Sequence, residues 1–336
     1  MSVEVDVFIK GWGAVSPAGW SAGTLADVVL EKNALPVTEE RRVDAAPLRR
    51  FRAVPPMSAQ PAWLRHARLR RVSPATRFAV SAALEALGGM VDAGSEPTGV
   101  IFTTMNGSVT FSRRFFAEVC ENPALASPIL FPETVFNAPA SHLGAVLGTP
   151  AANYTLIGDS AQFLRGLDVA VHWLAEGRVS QCLVVAAEEL DWLSTEALHL
   201  FPGDRVAAEG AAAVWLSCGA SDGIRIDQIT GSILMGHRTS RAAAAAKMRA
   251  QIDTPPAAVV CDSRCGSSIL DADEEHLWPA SSVHSPARWL GEGFGVSAGW
   301  QTVLACELLH RGAADSAVIS AIGHGQQAIG AVLAQS

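Results

Sequence analysis

Lysine is nearly absent from this 336-residue chain, and charge of any kind is scarce. Lysine occurs at three positions, 17% of the residues are charged, and the net charge is −8, whereas 49% of the residues are hydrophobic. A chain this apolar is not intrinsically disordered; the composition predicts extensively buried strands and allows for a subunit interface. The length allows two ordinary domains or one large α/β unit.

Long apolar runs and a secretion signal are also lacking. No apolar run reaches the ~18 residues that a membrane-spanning helix needs, and the first ten residues carry Glu4 and Asp6, unlike a signal peptide. The six cysteines are scattered, and Cys261 and Cys265 have no matching second pair, which argues against a zinc site. We therefore expect a cytoplasmic protein with no membrane span, no metal and no cofactor.

Positive charge is carried mainly by arginine, and one segment concentrates it. Nine arginines lie between residues 41 and 71, in a stretch that is also rich in proline. Because the chain as a whole is acidic, we expect no binding to nucleic acid. The segment is predicted to be a surface excursion of the chain, with a docking surface for an acidic partner as the alternative.

Strand and helix patterns alternate along the whole chain, and Ser73 followed by Pro74 marks one helix start. The alternation predicts largely parallel sheets covered on both faces. A fainter repetition in the second part predicts two similar halves, residues 1–218 and 219–336, stacked around a shared helical layer. The predicted strands are Val3–Ile9, Gly99–Thr104, Tyr154–Ile157, Gln181–Ala187, Ala211–Leu216, Ile224–Ile229, Ala257–Cys261, Ala317–Ala321 and Ala328–Leu333. The predicted helices are Ser21–Leu30, Pro74–Leu87, Ala138–Leu147, Ala161–Gly177, Ser240–Ile252 and Val296–His310.

Four segments resemble, in chain order, segments of the β-ketoacyl synthase (ketosynthase) family. "VFIKGWGAVSPAGWSAGTLADVVLEKNA" resembles the family's opening, and "IGDSAQFLRGLDVAVHWLAEGRVSQCLVVAAEE" the stretch around its catalytic cysteine. "AAEGAAAVWLS" resembles the strand that closes the first half, and "SAIGHGQQAIGAVL" the terminal glycine-rich loop and last strand. Nearly the whole chain is covered. The resemblance implies the thiolase-like α/β fold, with two similar α/β halves, stacked mixed sheets and helical layers in an αβαβα order.

The residues that match the family's catalytic set are different ones. The nucleophilic cysteine is matched by Ser160, and the two catalytic histidines by Ser263 and Glu292. His284 matches a family lysine, and His324 takes the place of an aromatic gate residue in the glycine loop. A serine hydroxyl is a poor substitute for a low-pKa thiol, and loss of both histidines removes the groups that assist decarboxylation. Ordinary chain elongation is therefore not expected.

The replacements suggest another acyl chemistry on the same fold. Ser160 as nucleophile, His324 as its base and Glu292 as the orienting acid would make a serine–histidine–carboxylate set. Such a set would carry out acyl transfer or thioester hydrolysis on carrier-bound acyl chains, through an acyl-serine. By carry-over from the family, the amides of Ser160 and His324 would form the oxyanion hole, with Gly323 and Gly325 giving the loop its backbone freedom.

Other residues compete for these roles or are expected to bind substrate. Considered alone, Ser160 would be interpreted as a helix cap. Asp159, next to it, is an alternative acid, and His284 is an alternative base. The resemblance implies substrate-binding roles for Asn106, Gly107, Asn137, Ser263, His284, Gly323 and Gly325.

A second function also agrees with the missing cysteine and histidines. The family includes chain-length-factor subunits, which lack the catalytic cysteine and pair with an active synthase to shape its product tunnel. They commonly have glutamine at the nucleophile position, whereas here Gln162 lies two residues later. Either function implies an acyl carrier protein or acyl-CoA thioester as partner. Either also implies a homodimer, or a heterodimer with a ketosynthase, formed through the strand that follows the nucleophile helix.

Overall fold

Helices and strands alternate in the computed structural model, which describes residues 6–41, 48–89, 98–148, 152–219, 223–279 and 283–336. The helices are α1 (Ala22–Leu30), α2 (Pro74–Ala86), α3 (Val109–Glu121), α4 (Ala138–Val146), α5 (Gln162–Ala175), α6 (Trp192–Leu198), α7 (Arg241–Gln251), α8 (Ser268–Asp271), α9 (Pro286–Leu290) and α10 (Ser297–His310). The strands are β1 (Val7–Val15), β2 (Thr38–Glu40), β3 (Arg49–Arg52), β4 (Thr98–Thr104), β5 (Asn153–Ile157), β6 (Gln181–Glu188), β7 (Ala207–Ala208), β8 (Gly210–Cys218), β9 (Ile224–Ile229), β10 (Ile233–Leu234), β11 (Val259–Cys261), β12 (Val283–His284), β13 (Ser316–Ile322) and β14 (Gln327–Gln335).

The large mixed sheet has the same internal order in its two halves. The first half runs β1-β8-β6-β4-β5 and the second runs β9-β14-β13-β11-β12. In each half the first two pairings are antiparallel and the next two are parallel. Strands β1 and β9 pair antiparallel and join the halves. The prediction of largely parallel sheets was therefore too strong, because strands buried on both faces give continuous apolar runs in either direction.

Buried side chains show how the two halves stack. Helices α5 and α10 share one apolar core with strands of both halves. Helices α2 and α4 cover the outer face of the first half, and α7 covers the outer face of the second. Trp300, buried in the first turn of α10, donates its indole N–H to the carbonyls of Val15 and Ala211, each at 3.1 Å. This αβαβα layering confirms the fold class that the resemblance implied.

The start of α2 follows directly from the local sequence. The Ser73 hydroxyl accepts a hydrogen bond from the amide of Thr76 at 3.2 Å, and Pro74 occupies the first turn. Proline fits there because the first amides of a helix have no partner within it. The predicted cap is confirmed.

The arginine-rich segment was predicted to be a surface excursion, and that prediction was wrong in part. Strand β3 pairs with β2 on one side and with β7 on the other, in a separate three-stranded sheet. Arg49 is buried, and its guanidinium contacts the Glu40 carboxylate and the Thr195 hydroxyl. Residues 42–47, and the first residues of the predicted strand Val3–Ile9, lie outside the described part of the chain. Strands β2 and β3 were not predicted because they are short and rich in charged residues, so their sequences show no alternation of apolar and polar positions.

The strand expected at a dimer interface is not at an edge of the sheet. Strand β6, which follows α5, lies between β4 and β8 and is almost entirely buried, so that expectation was wrong. The described edge of the first half is β5, where Tyr154 and Ile157 are about half exposed. An edge strand carries unpaired backbone groups that another chain can pair with.

Candidate active site

Two residues that the sequence proposed as base and acid are in contact. His324 lies in the loop between β13 and β14, and Glu292 lies between α9 and α10. The Nε2 atom of His324 is 2.8 Å from Oε2 of Glu292. The ring N–H of His324 is not aligned with that oxygen, so the contact is not a linear hydrogen bond. Glu292 is 3% exposed and therefore lies beneath the imidazole and not in solvent.

Backbone and side-chain contacts hold Glu292 in place. Its amide donates to the carbonyl of Val206, and its carbonyl accepts from the amide of Ala208, both at 2.7 Å. Its Oε1 atom accepts from the amide of Phe294 at 2.9 Å and from the hydroxyl of Ser297 at 3.0 Å. Oε2 alone is left to face the histidine.

The electrostatic surroundings keep Glu292 ionised. Burial by itself raises the pKa of this carboxyl group. The charge of His324 and its side-chain contact, followed by the charge of Arg205, outweigh burial and lower the pKa to about 2. An ionised carboxylate beside an imidazole orients the ring and stabilises the imidazolium that forms when the ring takes up a proton.

Asp159 joins the turn before α5 to the terminal glycine loop. Its amide donates to Oε1 of Gln326, and its Oδ2 accepts from the amide of Gln326, each at 3.0 Å. Gly323 packs so closely that a Cβ atom there would lie 1.8 Å from Oδ2 of Asp159. Burial raises the pKa of Asp159. Glu292, rather than the alternative acid Asp159, is therefore the carboxylate in direct contact with His324.

Arg241, the first residue of α7, holds the glycine loop from the other side. Its guanidinium donates to the carbonyls of Gly323 at 3.1 Å and Ile322 at 3.4 Å. It also donates to the carboxylates of Asp273 at 3.1 Å and Glu274 at 2.9 Å. Burial raises the pKa of Glu274 to about 8, against the effect of the guanidinium. This role of Arg241 was not predicted, because the residue begins an alanine-rich helix and belongs to no motif.

A cavity of about 200 Å³ lies beside the imidazole of His324. Within the described ranges, two of its polar side chains have buried nitrogens without a hydrogen-bond partner: Arg205 at Nε and Nη1, and His324 at Nδ1. Much of the remaining lining is apolar: Met105, Ala197, Leu198, Phe201 and Phe294. Buried polar groups are nearly always satisfied within a protein, so their convergence on one cavity marks a ligand site.

Ser160 lies next to this cavity without lining it. It is 4% exposed, in the turn before α5, and it is not the helix cap, because α5 begins at Gln162 with Ala161 at the cap position. The expected hydrogen bond between Ser160 and His324 is not formed, since Nδ1 of His324 has no partner. The two segments are connected through Asp159 instead.

Ser263, which matches a catalytic histidine of the family, has its hydroxyl fully engaged. The hydroxyl donates to the carbonyl of Ser320 at 2.9 Å. It accepts from the amide of Ile322 at 2.8 Å and from Nε2 of Gln301 at 3.1 Å. These bonds crosslink the loop after β11, strand β13 and helix α10, which is a structural role.

The remaining expected substrate-binding residues divide into two groups. Asn106 and Gly325 line the cavity. His284 lies in β12, where burial and then Lys32 lower the pKa of its imidazole. The residues that do not line the cavity are Gly107, Asn137, Ser263, His284 and Gly323.

Two residues near the site were not predicted. Arg205, just before β7, is 5% exposed, and burial lowers the pKa of its guanidinium. Burial, and then the charge of Glu292, raise the pKa of the Cys265 thiol to about 12. Since the thiolate is the nucleophilic form, Cys265 does not replace the family's cysteine at neutral pH.

Neither a metal site nor a membrane helix is found in the described ranges. These residues contain no group of three or more His, Cys, Asp or Glu side chains placed to hold a metal ion. None of the helices assigned within the described residues is long and apolar enough to cross a bilayer.

The layered fold, with a polar cavity near the start of its central helix α5, defines a thiolase-like protein. A family model described as the N-terminal domain of β-ketoacyl synthase matches residues 45–264. The chain therefore belongs to the β-ketoacyl synthase family. A search of proteins with curated functions returned no match.

Solved structures share the fold over the full length of the chain. The ishigamide ketosynthase/chain length factor superposes with a TM-score of 0.83 at 20% identity, covering 98% of this chain and 99% of that one. A β-ketoacyl synthase from Burkholderia phymatum STM815 gives 0.81 at 17% identity, covering 99% and 100%. A type II PKS acyl-carrier protein in complex with its ketosynthase bound to the hexaketide gives 0.78 at 16% identity, covering 99% of both chains. At these identities the likeness concerns the fold alone.

Proposed function

We propose that this protein transfers or hydrolyses the acyl group of a carrier-bound thioester, in a pathway of the fatty-acid or polyketide type, through an acyl-serine at Ser160. One observation carries the proposal: the close contact between His324 and Glu292 lies at a cavity where buried polar groups have no hydrogen-bond partner within the described residues. An imidazole with a purely structural role would have both ring nitrogens hydrogen-bonded within the protein, whereas Nδ1 of His324 has no hydrogen-bond partner among the described residues.

The proposed reaction uses Nδ1 of His324, because Glu292 lies against Nε2. Nδ1 accepts the proton of the Ser160 hydroxyl as Oγ attacks the thioester carbonyl. The C–S bond then breaks, and the imidazolium returns the proton to the thiolate that leaves. An acceptor alcohol or water then gives its proton to Nδ1 and attacks the acyl-serine carbonyl, and the imidazolium returns the proton to Oγ of Ser160 as the acyl–oxygen bond breaks. The contact between Ser160 and His324 forms on substrate binding, since catalytic hydrogen bonds commonly tighten only in that complex.

Two backbone amides support the oxyanion in this proposal. In the described part of the chain, the amides of Ser160 and His324 have no hydrogen-bond acceptor among protein groups. A pair of amides aimed at the developing oxyanion is worth several kcal/mol of barrier in acyl transfer, on the order of 3 kcal/mol per donor.

The test is the intact mass of the protein after incubation with an acyl-carrier thioester. The wild-type protein gains one acyl mass, and Ser160→Ala gains none. Ser263→Ala is the matched control: it removes a serine hydroxyl at another catalytic position of the family and keeps the adduct. Absence of both adduct and hydrolysis in the folded wild-type protein rejects the proposal.

A second candidate function is that of a non-catalytic partner subunit, like a chain-length factor, for an active ketosynthase. Two observations favour it: the Ser160–His324 hydrogen bond is not formed, and the edge strand β5 exposes Tyr154 and Ile157. Co-expression with a ketosynthase of the same pathway tests it by native mass. A heterodimer without acylation of Ser160 supports this function, and a homodimer that is acylated at Ser160 rejects it.

A further inference from the structure

Arg205 is a buried cation that lacks the partners a buried cation normally has. Its side chain lines the cavity beside His324 and is 5% exposed. Its guanidinium makes a long hydrogen bond from Nη2 to the carbonyl of Leu198 at 3.4 Å. Nε and Nη1 are buried and have no hydrogen-bond partner among the residues that the structure describes. Because the guanidinium stays charged in proteins, its free donors require an acceptor, and a carboxylate matches their planar arrangement.

The nearest acid does not supply that acceptor. Glu292 lies close enough to Arg205 for their charges to interact. However, Oε2 of Glu292 contacts His324, and Oε1 accepts from Phe294 and Ser297. Both carboxylate oxygens of Glu292 are thus engaged by other groups, so within the described residues the Nε and Nη1 donors of Arg205 have no hydrogen-bond acceptor.

A second acid, Asp159, lines the same cavity on the side of the glycine loop. Its Oδ2 is held by the amide of Gln326. Burial raises the pKa of Asp159. The side-chain amide of Asn106 also lines the cavity. The unsatisfied donors on Arg205 therefore favour an acceptor ligand.

The size and lining of the cavity restrict the rest of the ligand. About 200 Å³ corresponds to roughly seven waters at ~30 Å³ each. The apolar lining by Met105, Leu198, Phe201 and Phe294 favours a hydrocarbon body. Such a cavity admits a short aliphatic chain with one charged end.

We propose that this cavity binds the carboxylate of a short aliphatic acid, with Arg205 as the binding cation and Asn106 as a second donor. The carboxylate belongs either to a free acid or to the far end of an acyl chain whose other end is the thioester. Arg205 is then the residue that selects acids over neutral chains. This binding does not require Ser160, so the proposal stands or falls independently of acyl transfer.

Calorimetric titration with butanoate and with butanamide tests the proposal. The two probes have nearly the same shape and differ in charge. The protein used is Ser160→Ala, so that no acylation interferes. We expect butanoate to bind about tenfold or more tightly than butanamide, as charge-assisted hydrogen bonds to a buried guanidinium would give. Equal binding of the two probes overturns the proposal, without any variant of Arg205.

Arg205→Gln, made in the same background, should reduce the preference for butanoate to less than about threefold, and Arg205→Lys should keep part of it. Arg165→Gln, an exposed arginine paired with Asp168, is the matched control and keeps the full preference. If Arg205 only neutralises Glu292, Arg205→Gln lowers the melting temperature and leaves the butanoate preference intact, which also overturns the proposal.

Competition separates the two sources of the carboxylate. Butanoyl-pantetheine and succinyl-pantetheine thioesters each compete with butanoate for Ser160→Ala. Stronger competition by the succinyl thioester assigns the carboxylate to the far end of an acyl chain. Equal competition by the two thioesters, together with tight binding of butanoate, assigns it to a free acid.

Discussion

Replacing Glu292 by glutamine removes one charge and keeps the shape of the site. The new Oε1 can still accept from Phe294 and Ser297, so the change falls on the atom that faces His324. The pKa of about 2 in place of 4.5 corresponds to roughly 3 kcal/mol at ~1.4 kcal/mol per unit. We expect the free energy of unfolding of Glu292→Gln to be lower by about 3 kcal/mol at pH 7, measured by urea titration.

The sign of the pH dependence follows from the depressed pKa of Glu292. A carboxyl whose pKa is lower in the folded state stabilises the fold above its unfolded pKa, and this contribution is lost as pH falls through the folded value. The difference in the free energy of unfolding between wild type and Glu292→Gln should therefore have its full value at pH 7 and decrease between pH 4.5 and pH 2. Thioester hydrolysis should fall by about 10³–10⁴-fold, as when the orienting acid of a serine–histidine set is made neutral.

Glu39→Gln is the control for charge loss without burial. Glu39 faces Arg50 at 3.6 Å on the surface, and such pairs contribute less than about 1 kcal/mol. The assignment of Glu292 as the buried partner of His324 would be refuted by two results together. The free energy of unfolding of Glu292→Gln would be lower than that of wild type by less than about 1 kcal/mol at pH 7, and this difference would not decrease at acidic pH.

Three further substitutions test the surroundings of the site by urea titration. Gly323→Ala should lower the free energy of unfolding by several kcal/mol, because the new Cβ would overlap a carboxylate oxygen of Asp159. In Gly325→Ala the new Cβ meets no atom within 4 Å, so the change should stay within about 0.5 kcal/mol. Equal effects of the two substitutions would contradict this packing. Arg241→Ala should cost about 3 kcal/mol, since it removes the hydrogen bonds to the carbonyls of Leu270, Ile322 and Gly323, and a neutral result would show that these bonds are dispensable. Burial raises the pKa of Glu188 to about 7. Between pH 5 and pH 8 the free energy of unfolding of the wild-type protein should therefore fall by roughly 2–3 kcal/mol relative to that of Glu188→Gln. A difference between the two proteins that stays constant over this pH range would contradict the raised pKa.

The alternation of strands and helices was predictable from the sequence, because buried strands and amphipathic helices have distinct periods, whereas the αβαβα order of layers was implied by the family resemblance. Strand direction was not, since an antiparallel strand buried on both faces, such as β8, has the same apolar run as a parallel one. Strands β2 and β3 were missed because their stability comes from pairing with β7 and from the buried Arg49, not from a local pattern.

The pairing of His324 with Glu292 was predictable only through the family resemblance. The two residues are 32 positions apart, and the fold brings them together between α9 and β14. Arg205 was missed because it lines a cavity that no spacing in the sequence indicates. Arg241 was missed because it binds backbone carbonyls that are distant in the sequence. The distance between Ser160 and His324 depends on the exact course of the glycine loop, which is set by contacts with Asp159 and Arg241.

Mapping of the acyl group by tandem mass spectrometry tests the central claim most directly. The protein is incubated with an acyl-carrier thioester, quenched in acid and digested, and the peptide that contains Ser160 is sequenced. Our account predicts the acyl mass on Ser160 in the wild-type protein and its loss, or at least a 10³-fold slower appearance, in Glu292→Gln. An unmodified Ser160 in the folded wild-type protein, with the thioester intact, would contradict it.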